Sequence, residues 1–486
     1  MRHNFSRALA VGALAVIATA CDDTNDMIGE NPAPITLKNT SVTAPLVKGL
    51  PNGVQAYSLI SSGDTIPGSP RFGGSADGAG IVKNPDGTFT LLTNHEDNFA
   101  VSRTTLDKDF RPTAVEYIMN SVAGRWRLCS ATMATPEEHG FGPIFLTNGE
   151  SGIDSQIHGI DPRGPLFSAV NDATLLPALG RWSSEQALPL PKGAYNRTVI
   201  LIGDDDSGTN GGQLVMYVGT AIGDLKNGSL YVMARKDNNI RERDMVVGTN
   251  YDVEFRQVPN TPGTTAQQEE AAGLAASMMQ FGRVEDIDYR KGIGEGREVY
   301  FAVTGQNNTG VNANYGRTKY GRAYKLVLDP ANPLKGVLTL LLDGDDRSGP
   351  ARMFQNPDNI YVGRNYAYIQ EDPNSYGDET HDAYIYQYNL TTKEMKVVME
   401  LDHRRTVAAD AATYRSATST FGSWEYGAMT DVSTETGIRD AFLIQIQPHT
   451  WREPRFLRIA GTHPNPSLNT SENQGSQTIL VTGLPR

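Results

Sequence analysis

The sequence predicts an all-β protein, a six-bladed β-propeller with loop insertions and one short helical insertion. The composition, with 49 Gly, 27 Pro and 20 Tyr among 486 residues, is typical of many short strands joined by turns. Six short β-rich runs each end abruptly in carboxylate or amide side chains. In addition, an acidic residue stands just ahead of an earlier strand in each unit. A large all-β sandwich with chance polar strand ends is the alternative architecture.

The six runs define a repeat that uneven spacing conceals. Each has four to six strand-favouring residues followed by a polar tip. The runs are Thr88–Asp97, Gly142–Ser151, Thr198–Ser207, Glu298–Asn307, Tyr366–Ser375 and Asp440–His449. Radial repetition of such units leaves only short, protected sheet edges, which is why the pattern favours a propeller.

The acidic residues that precede the runs complete the repeat as acid, strand, turn, strand and polar tip. They are Asp77, Glu137 or Glu138, Glu185, Glu285 with Asp286, Asp358 and Glu425. Turn signals such as Asn84-Pro85-Asp86-Gly87 separate the strands in several units.

Two further segments complete the predicted domain. Thr264–Gln280, rich in Ala, Gln, Glu and Met and without Pro, predicts a helix on the rim of the propeller. Met278 and Met279 in this segment are interpreted as packing residues. The C-terminal run Gln477–Thr482 predicts a strand that closes the ring by joining the first or the last blade.

The N-terminal segment is typical of a targeting signal. Arg2 and Arg7 are followed by the apolar run Ala8–Ala20, which is too short to span a bilayer. Small residues directly before Cys21 predict a lipoprotein signal peptide at 1–20 with lipidation of Cys21. An ordinary secretory signal is the alternative. The polar stretch 21–45 is predicted to be a lipid-anchored tether, and 46–486 the propeller.

Charge and motif content exclude several functional classes. The net charge of −12 argues against nucleic acid or an anionic membrane as a partner and is compatible with divalent cations. Membrane association is therefore expected only through the lipid anchor, at a bacterial cell envelope, and the protein is expected to be a monomer. Two cysteines exclude a disulfide scaffold or a thiolate zinc cluster. The sequence has no HExxH, GxSxG, Walker loop or paired CxxC.

The acidic starts and polar tips of six blades would converge at one mouth of a central channel. Crowded carboxylates repel one another unless cations neutralise them, and hard oxygen ligands at this density favour Ca²⁺. Any single acid could equally be a solvated turn residue. The candidate pool is Glu96, Asp97, Glu150, Glu185, Asp204, Asp205, Asp206, Glu285, Asp358, Glu371 and Asp372. His95 and His449 lie at tips, as site residues or as strand-end hydrogen-bonding residues.

Several stretches resemble the PhoX-type alkaline phosphatases. Asp77-Gly78-Ala79-Gly80 and the strand ending in Asn94-His95-Glu96 are similar to that family's DGxG and NHE elements. Later matches, each short, follow in the family's order between about residues 70 and 450. They are Gly180–Glu185, Arg283–Asp286, Phe354–Asn359 with Glu371-Asp372, Glu425-Tyr426-Gly427 and Gln445–His449.

The resemblance implies a six-bladed propeller that hydrolyses phosphate monoesters of small molecules with calcium and, in some members, iron. It implies metal ligation by Glu185 and Glu285 and a phosphate clamp at Arg283. With the polar tips, the predicted catalytic residues are Arg283, Glu285 and His95. The predicted metal ligands are Glu96, Glu150, Glu185, Glu285, Asp204, Asp358 and Glu371.

The chain departs from the family pattern at two places that bear on function. Ser184 stands where the family has His, and the family's Cys-Glu-Glu tip is Asn148-Gly149-Glu150 here. Only Cys129 could supply a thiolate to iron, so the sequence favours calcium over Fe³⁺. Two alternatives to a phosphatase stay open: a non-catalytic propeller lipoprotein that binds a ligand or partner, and another hydrolase on the same scaffold.

Overall fold

Short antiparallel strands dominate the computed structural model, which describes Met1 and residues 35–170, 172–465 and 473–486. The described strands, numbered in chain order, are β1 (Val47–Lys48), β2 (Gln55–Ser61), β3 (Ala76–Lys83), β4 (Phe89–His95), β5 (Ala100–Leu106), β6 (Pro112–Met119), β7 (Leu128–Ala134), β8 (Ile144–Gly149), β9 (Ile157–Ile160), β10 (Ser184–Pro189), β11 (Val199–Asp204), β12 (Leu214–Val218), β13 (Ser229–Arg235), β14 (Asn250–Val258), β15 (Val284–Tyr289), β16 (Glu298–Val303), β17 (Arg322–Leu328), β18 (Lys335–Asp343), β19 (Pro357–Val362), β20 (Tyr366–Glu371), β21 (Tyr384–Asn389), β22 (Met395–Leu401), β23 (Glu425–Asp431), β24 (Ala441–Gln447) and β25 (Gln477–Thr482).

The strands form five antiparallel sheets in the described part of the chain. Their orders are β3-β4-β5-β6, β7-β8-β9, β10-β11-β12-β13-β14-β18-β17-β16-β15, β1-β22-β21-β20-β19 and β2-β25-β24-β23. Neighbours in a sheet are mostly neighbours in sequence, which is the meander of a propeller. In the nine-stranded sheet, β14 pairs with β18, and the two edge strands β10 and β15 contact each other, so this sheet is nearly closed.

Six strands contact one another in a ring and position the site. Strand β3 contacts β7, β7 contacts β10, β10 contacts β15, β15 contacts β19, β19 contacts β23, and β23 contacts β3. Apolar side chains pack between the sheets. For example, Phe301 and Tyr324 stack with ring centroids 5.0 Å apart. The fold is therefore all-β and propeller-like.

The two ends of the described fold meet in one sheet. Strand β25 lies between β2 and β24, with Tyr57 opposite Leu480 and Leu443 opposite Leu480 on the other side. The sequence left open which blade the C-terminal run joins, and the structure places it in the sheet of β23 and β24. Residues from Ile35 onward also bond to this region, since Thr40 N donates to Ser58 O at 2.9 Å.

Helices are few and short. The described α-helices are α1 (Ser121–Gly124), α2 (Ala266–Ala275), α3 (Ala408–Thr413) and α4 (Ser433–Thr436). Helix α2 lies within the segment predicted to be helical and begins with a capping box between Thr265 and Gln268. Met278 and Met279 are buried, as expected of packing residues.

The predicted signal peptide, Cys21 and the tether as far as residue 34 lie outside the described residues. None of the helices described here has the length and apolar character needed to cross a bilayer.

Candidate metal-binding site

A β-bulge interrupts each strand of the inner ring near its start. In β10, for instance, Ser184 pairs with Asp204 and Ala187 with Ile202, so two residues of β10 face one of β11. Such a bulge turns an extra side chain out of the ladder. The first residues of the six bulges are Asp77, Cys129, Glu185, Glu285, Asp358 and Gly427. Five of the six thus carry a group that can bind a metal ion.

The bulges bring these groups together in the centre of the ring. Ligand atoms of Asp77, Glu96 and Cys129 all lie within 4.8 Å of one another. The same limit holds for Cys129, Glu150 and Glu185, and for Glu185, Glu285 and Asp358. Because the three groups share Cys129 and Glu185, the seven side chains form one continuous cluster, which we call the axial cluster.

Two members of the axial cluster, Asp77 and Cys129, were not among the predicted metal ligands, although the sequence indicated Asp77 as an acidic start and Cys129 as the one available thiolate. For the second unit it assigned the acidic start to Glu137 or Glu138, but the inner strand of that unit is β7, and Cys129 holds the corresponding position. The signal available in the sequence was the spacing, because Cys129 lies 19 residues ahead of the tip at Asn148, close to the 17 residues between Asp77 and Asn94.

Uncompensated negative charge is unfavourable in the axial cluster, because its carboxylates are buried and repel one another. Burial raises the pKa of Glu185 well above its usual range, and the carboxylates of Glu285 and Asp358 raise it further. Burial and the Glu96 carboxylate do the same to Asp77. The Asp77 Oδ1 atom is buried and has no hydrogen-bond partner among the described residues. Bound cations would remove both penalties, so this donor set fits metal ions.

The thiol of Cys129 affects which metal ions the axial cluster can bind well. Cys129 is buried and its Sγ donates to Glu150 Oε2 at 3.3 Å. Burial and the carboxylates of Glu185 and Glu150 raise the pKa of this thiol well above its usual range. A cation would favour the thiolate instead, and thiolates prefer transition metals to calcium.

Arg283 lies beside the cluster and is held by acids. Its Nε donates to Asp205 Oδ1 at 2.6 Å and its Nη2 to Oδ2 at 3.1 Å, the two-pronged arrangement that suits arginine and carboxylate. Nη2 also lies 3.1 Å from Glu285 Oε1, and Nη1 donates to Asn374 Oδ1 at 2.7 Å. Most of the guanidinium is therefore engaged within the protein.

A second arginine, which the sequence did not indicate, borders the cluster. Arg127 Nη1 lies 2.7 Å from Glu96 Oε1 and 2.7 Å from Asp97 Oδ1. Its side chain is 33% exposed, and its Nε and Nη2 have no hydrogen-bond partner among the described residues. Arg127 can thus bind an incoming anion without giving up an existing contact.

Three predicted site residues lie away from the axial cluster. Both oxygens of Glu371 accept hydrogen bonds inside the blade, from Gln355 N at 2.7 Å and from Tyr384 N at 2.9 Å among others. Asp204 Oδ1 accepts from Ser183 N at 3.1 Å. His95 is fully buried between Gly74 O and Ser102 Oγ.

The sixth unit contributes a different pair to the site. His449 Nε2 lies 3.2 Å from Glu425 Oε1. Burial and the neighbouring Asp372 raise the pKa of Glu425 well above its usual range. Asp372, and not its neighbour Glu371, therefore faces the site at the tip of β20.

The second residue of a bulge forms a hydrogen bond to the neighbouring inner strand in two places. Gln186 Oε1 accepts from Ile287 N at 2.7 Å, and Asp286 Oδ2 accepts from Ile360 N at 3.1 Å. Each bond joins one inner strand to the next. These bonds fix β10, β15 and β19, and with them Glu185, Glu285 and Asp358, relative to one another, as precise metal coordination requires.

No protein-family model matches the chain, and no curated protein matches it either. Among solved structures, an α-L-arabinofuranosidase from Fusarium graminearum with an iminosugar inhibitor is 12% identical, with 87% of this chain and 96% of that chain covered and a TM-score of 0.35. The polysaccharide lyase Uly1 is 8% identical, with 92% and 97% covered and a TM-score of 0.35. An endo-arabinase from Bacteroides thetaiotaomicron is 11% identical, with 69% and 96% covered and a TM-score of 0.30. Likenesses of this size carry no argument about function.

Proposed function

We propose that the protein is a metal-dependent phosphatase of the PhoX type, which hydrolyses phosphate monoesters at the channel mouth of a six-bladed propeller. The ring of six contacting strands supports six blades. On this interpretation the nine-stranded sheet is two blades joined through the pairing of β14 with β18 at their outer edges. The order of the PhoX-like motifs along the chain supports the family.

The observation that carries the proposal is the axial cluster of seven buried or half-buried ligand groups. Five of them lie on consecutive bulges, and Glu96 and Glu150 lie at the polar tips that follow β4 and β8. Glu185, Glu285 and Asp358 form an all-carboxylate group, which suits calcium. The two groups that contain Cys129 suit a transition metal such as iron. When bound, such ions neutralise phosphoryl oxygens and supply an oxygen nucleophile at neutral pH.

The chain's own cations complete the anion site. Arg127 offers Nε and Nη2 to a phosphoryl oxygen from the rim of the cluster. Arg283 is oriented by Asp205 and adds positive charge next to Glu285. Preorganised donors of this kind stabilise the charge of a phosphoryl group in its transition state. His95 has no place in this proposal, because it is sealed inside its blade.

The proposal is tested with purified protein by metal analysis and by hydrolysis of p-nitrophenyl phosphate. We expect calcium and a transition metal in the protein as isolated, loss of hydrolysis with chelator, and recovery when the metals return. Chelation should also lower the melting temperature reversibly, because ions that bind only the folded state stabilise it. Metal-free protein with full activity would refute the proposal.

A ligand-binding propeller without catalysis is the second candidate, and the engagement of Arg283 favours it. If Asp205 and Glu285 permanently occupy this guanidinium, a phosphate gains little from it. This candidate predicts a metal-loaded protein that leaves p-nitrophenyl phosphate and other activated esters intact. Another hydrolase on the same scaffold predicts cleavage of esters or glycosides but not of phosphate monoesters.

We further propose that the protein is anchored through a lipid on Cys21 at a bacterial cell envelope and acts there as a monomer. The small residues before Cys21 support the anchor. Cells that express the Cys21→Ser variant should fail to label the protein with palmitate, whereas the wild type is labelled. Labelling of the variant would remove the anchor.

A further inference from the structure

A polar cavity of about 540 Å³ opens directly beside the axial cluster. It shares Asp372, Asn374 and His449 with the surroundings of that cluster. The rest of its wall is formed mainly by residues with polar side chains: Ser375, Arg415, Thr418, Ser419, Ser423, Thr450 and Arg452, with Pro373 and Gly422. We call this space the side cavity.

Two arginines without carboxylate partners among the described residues line the side cavity. The Arg415 guanidinium makes no hydrogen bond or ion pair in the described part of the chain, and its side chain is exposed. Arg452 donates from Nε to His449 O at 3.0 Å and from Nη1 to Asn473 Oδ1 at 3.2 Å, both neutral acceptors. These contacts leave two positive charges facing the cavity, against one carboxylate in its wall, that of Asp372.

The loop that carries Arg415 is fixed to the blade. Arg404 Nη1 donates to Ser416 O at 2.7 Å and to Ser419 O at 2.8 Å. The fully buried His403 lies with its Nε2 2.9 Å from Ser419 Oγ. Arg404 in turn lies 3.3 Å from the buried Asp382. His403 Nε2 also lies 3.2 Å from Tyr414 O, so the loop is anchored on both sides of Arg415 and presents its cation and hydroxyls in a defined place.

We propose that the side cavity binds the leaving group of the substrate, and that this leaving group is hydroxylated and carries a second anionic group. The inference rests on the proposed function for the position of the phosphate at the axial cluster. Arginine supplies a charge-assisted, two-pronged contact for a carboxylate or a second phosphate. The Ser and Thr hydroxyls suit the hydroxyls of a small sugar or sugar acid.

Two substrates that differ only at the second anion provide the test. 3-Phosphoglycerate carries a carboxylate where glycerol 3-phosphate carries a hydroxymethyl group. We expect kcat/KM to be about tenfold higher for 3-phosphoglycerate, the effect of one charge-assisted contact at a half-open site. In Arg415→Ala this ratio should fall towards one. The matched control is Arg352→Ala, an exposed arginine outside the cavity, which should keep the wild-type ratio.

A binding measurement separates failure of this inference from failure of the proposed function. The phosphonate analogue of 3-phosphoglycerate is titrated by calorimetry into wild type and Arg415→Ala, with the analogue that lacks the carboxylate as comparison. Arg415-dependent discrimination supports the inference even if no monoester is hydrolysed, which would refute the phosphatase alone. Hydrolysis without discrimination, or a carboxylate preference that persists in Arg415→Ala, overturns the inference.

Discussion

The Cys129 thiol donates a hydrogen bond to Glu150 Oε2 across 3.3 Å in the centre of the inner ring. The two residues belong to the inner strand and to the polar tip of the same sheet, which the bulge in β7 brings together. This thiol and carboxylate, with Glu185 next to both, form a donor set that suits a transition metal better than it suits calcium.

On the proposed metal assignment, Cys129→Ser should lower the transition-metal content and leave calcium bound. Serine keeps the size of the side chain but stays protonated, so the transition metal loses an anionic ligand. We expect its content per chain to fall by at least about tenfold, since even outer-shell changes cost 10–100-fold in affinity. Calcium should persist, because Glu185, Glu285 and Asp358 are unchanged. Elemental analysis of the wild type and of Cys129→Ser measures both metals. Equal transition-metal content in the two proteins would contradict the assignment of Cys129 as a ligand.

Glu285→Gln should weaken the all-carboxylate group, because an anionic oxygen ligand becomes neutral without change of size. Titration of metal-free protein should show calcium affinity lower by about tenfold or more. We also expect hydrolysis to decline in parallel.

The control for that variant is Glu371→Gln, which tests the one predicted ligand that the structure turns into its blade. An amide there loses charge-assisted hydrogen bonds from Gln355 and Tyr384, so the melting temperature should fall. Calcium affinity of the folded variant should equal that of the wild type. If Glu371→Gln weakens calcium binding as much as Glu285→Gln does, the boundary of the axial cluster is misplaced.

Lysine substitutions at the two arginines beside the cluster are predicted to have different effects on activity and stability. Arg127→Lys keeps a charge but loses the free Nε and Nη2, so kcat/KM should fall by about one to three orders of magnitude while metal content is retained. Arg283→Lys breaks the paired contact with Asp205 and should lower the melting temperature as well. A larger loss of kcat/KM in Arg283→Lys than in Arg127→Lys, at equal stability, would make Arg283 the principal phosphate contact.

Much of the fold could be read from the sequence because strands and turns leave local signals. The tips at Asn94 and Asn148 and the helix at 266–275 lie within the segments that these signals predicted. Which of Glu371 and Asp372 faces the site could not be predicted. Neighbouring residues point to opposite faces of a sheet, and the register depends on pairing with distant strands. The bulge that turns Cys129 towards the axial cluster depends on the same long-range register.

The burial of His95 inside its blade could not be predicted from the sequence either, and it allows a test by pH. Burial lowers its pKa to about 3, against 6.5 for the unperturbed imidazole. Between these pH values the unfolded chain binds a proton that the native state does not, so the free energy of unfolding falls as the pH drops from 6.5 towards 3. His95→Gln lacks this contribution. Its denaturation curves should lose stability less steeply with acid than those of the wild type. Identical pH dependence would mean that His95 is protonated in the native state.

Gly427 explains why the sixth bulge lacks a ligand, and it offers the most direct test of the ring. A Cβ at this position would lie 2.6 Å from Asp77 Cα and 2.8 Å from Asp77 Oδ1, closer than real Cβ contacts allow. The obstacle is largely backbone, so β3 and β23 must separate to admit even a methyl group. We expect Gly427→Ala to lower the free energy of unfolding by about 1–3 kcal/mol, the usual cost of overpacking.

Because Asp77 belongs to the axial cluster, the displacement should reach the metals as well. Gly427→Ala should lower transition-metal content, which is measured on protein shown to be folded by circular dichroism. The matched control is Gly193→Ala, where a Cβ would meet nothing within 4 Å, and it should leave both stability and metal content near the wild-type values. Should Gly427→Ala match Gly193→Ala in both measurements, strands β3 and β23 do not close the ring at this point, and Asp77 is not held where the axial cluster requires it.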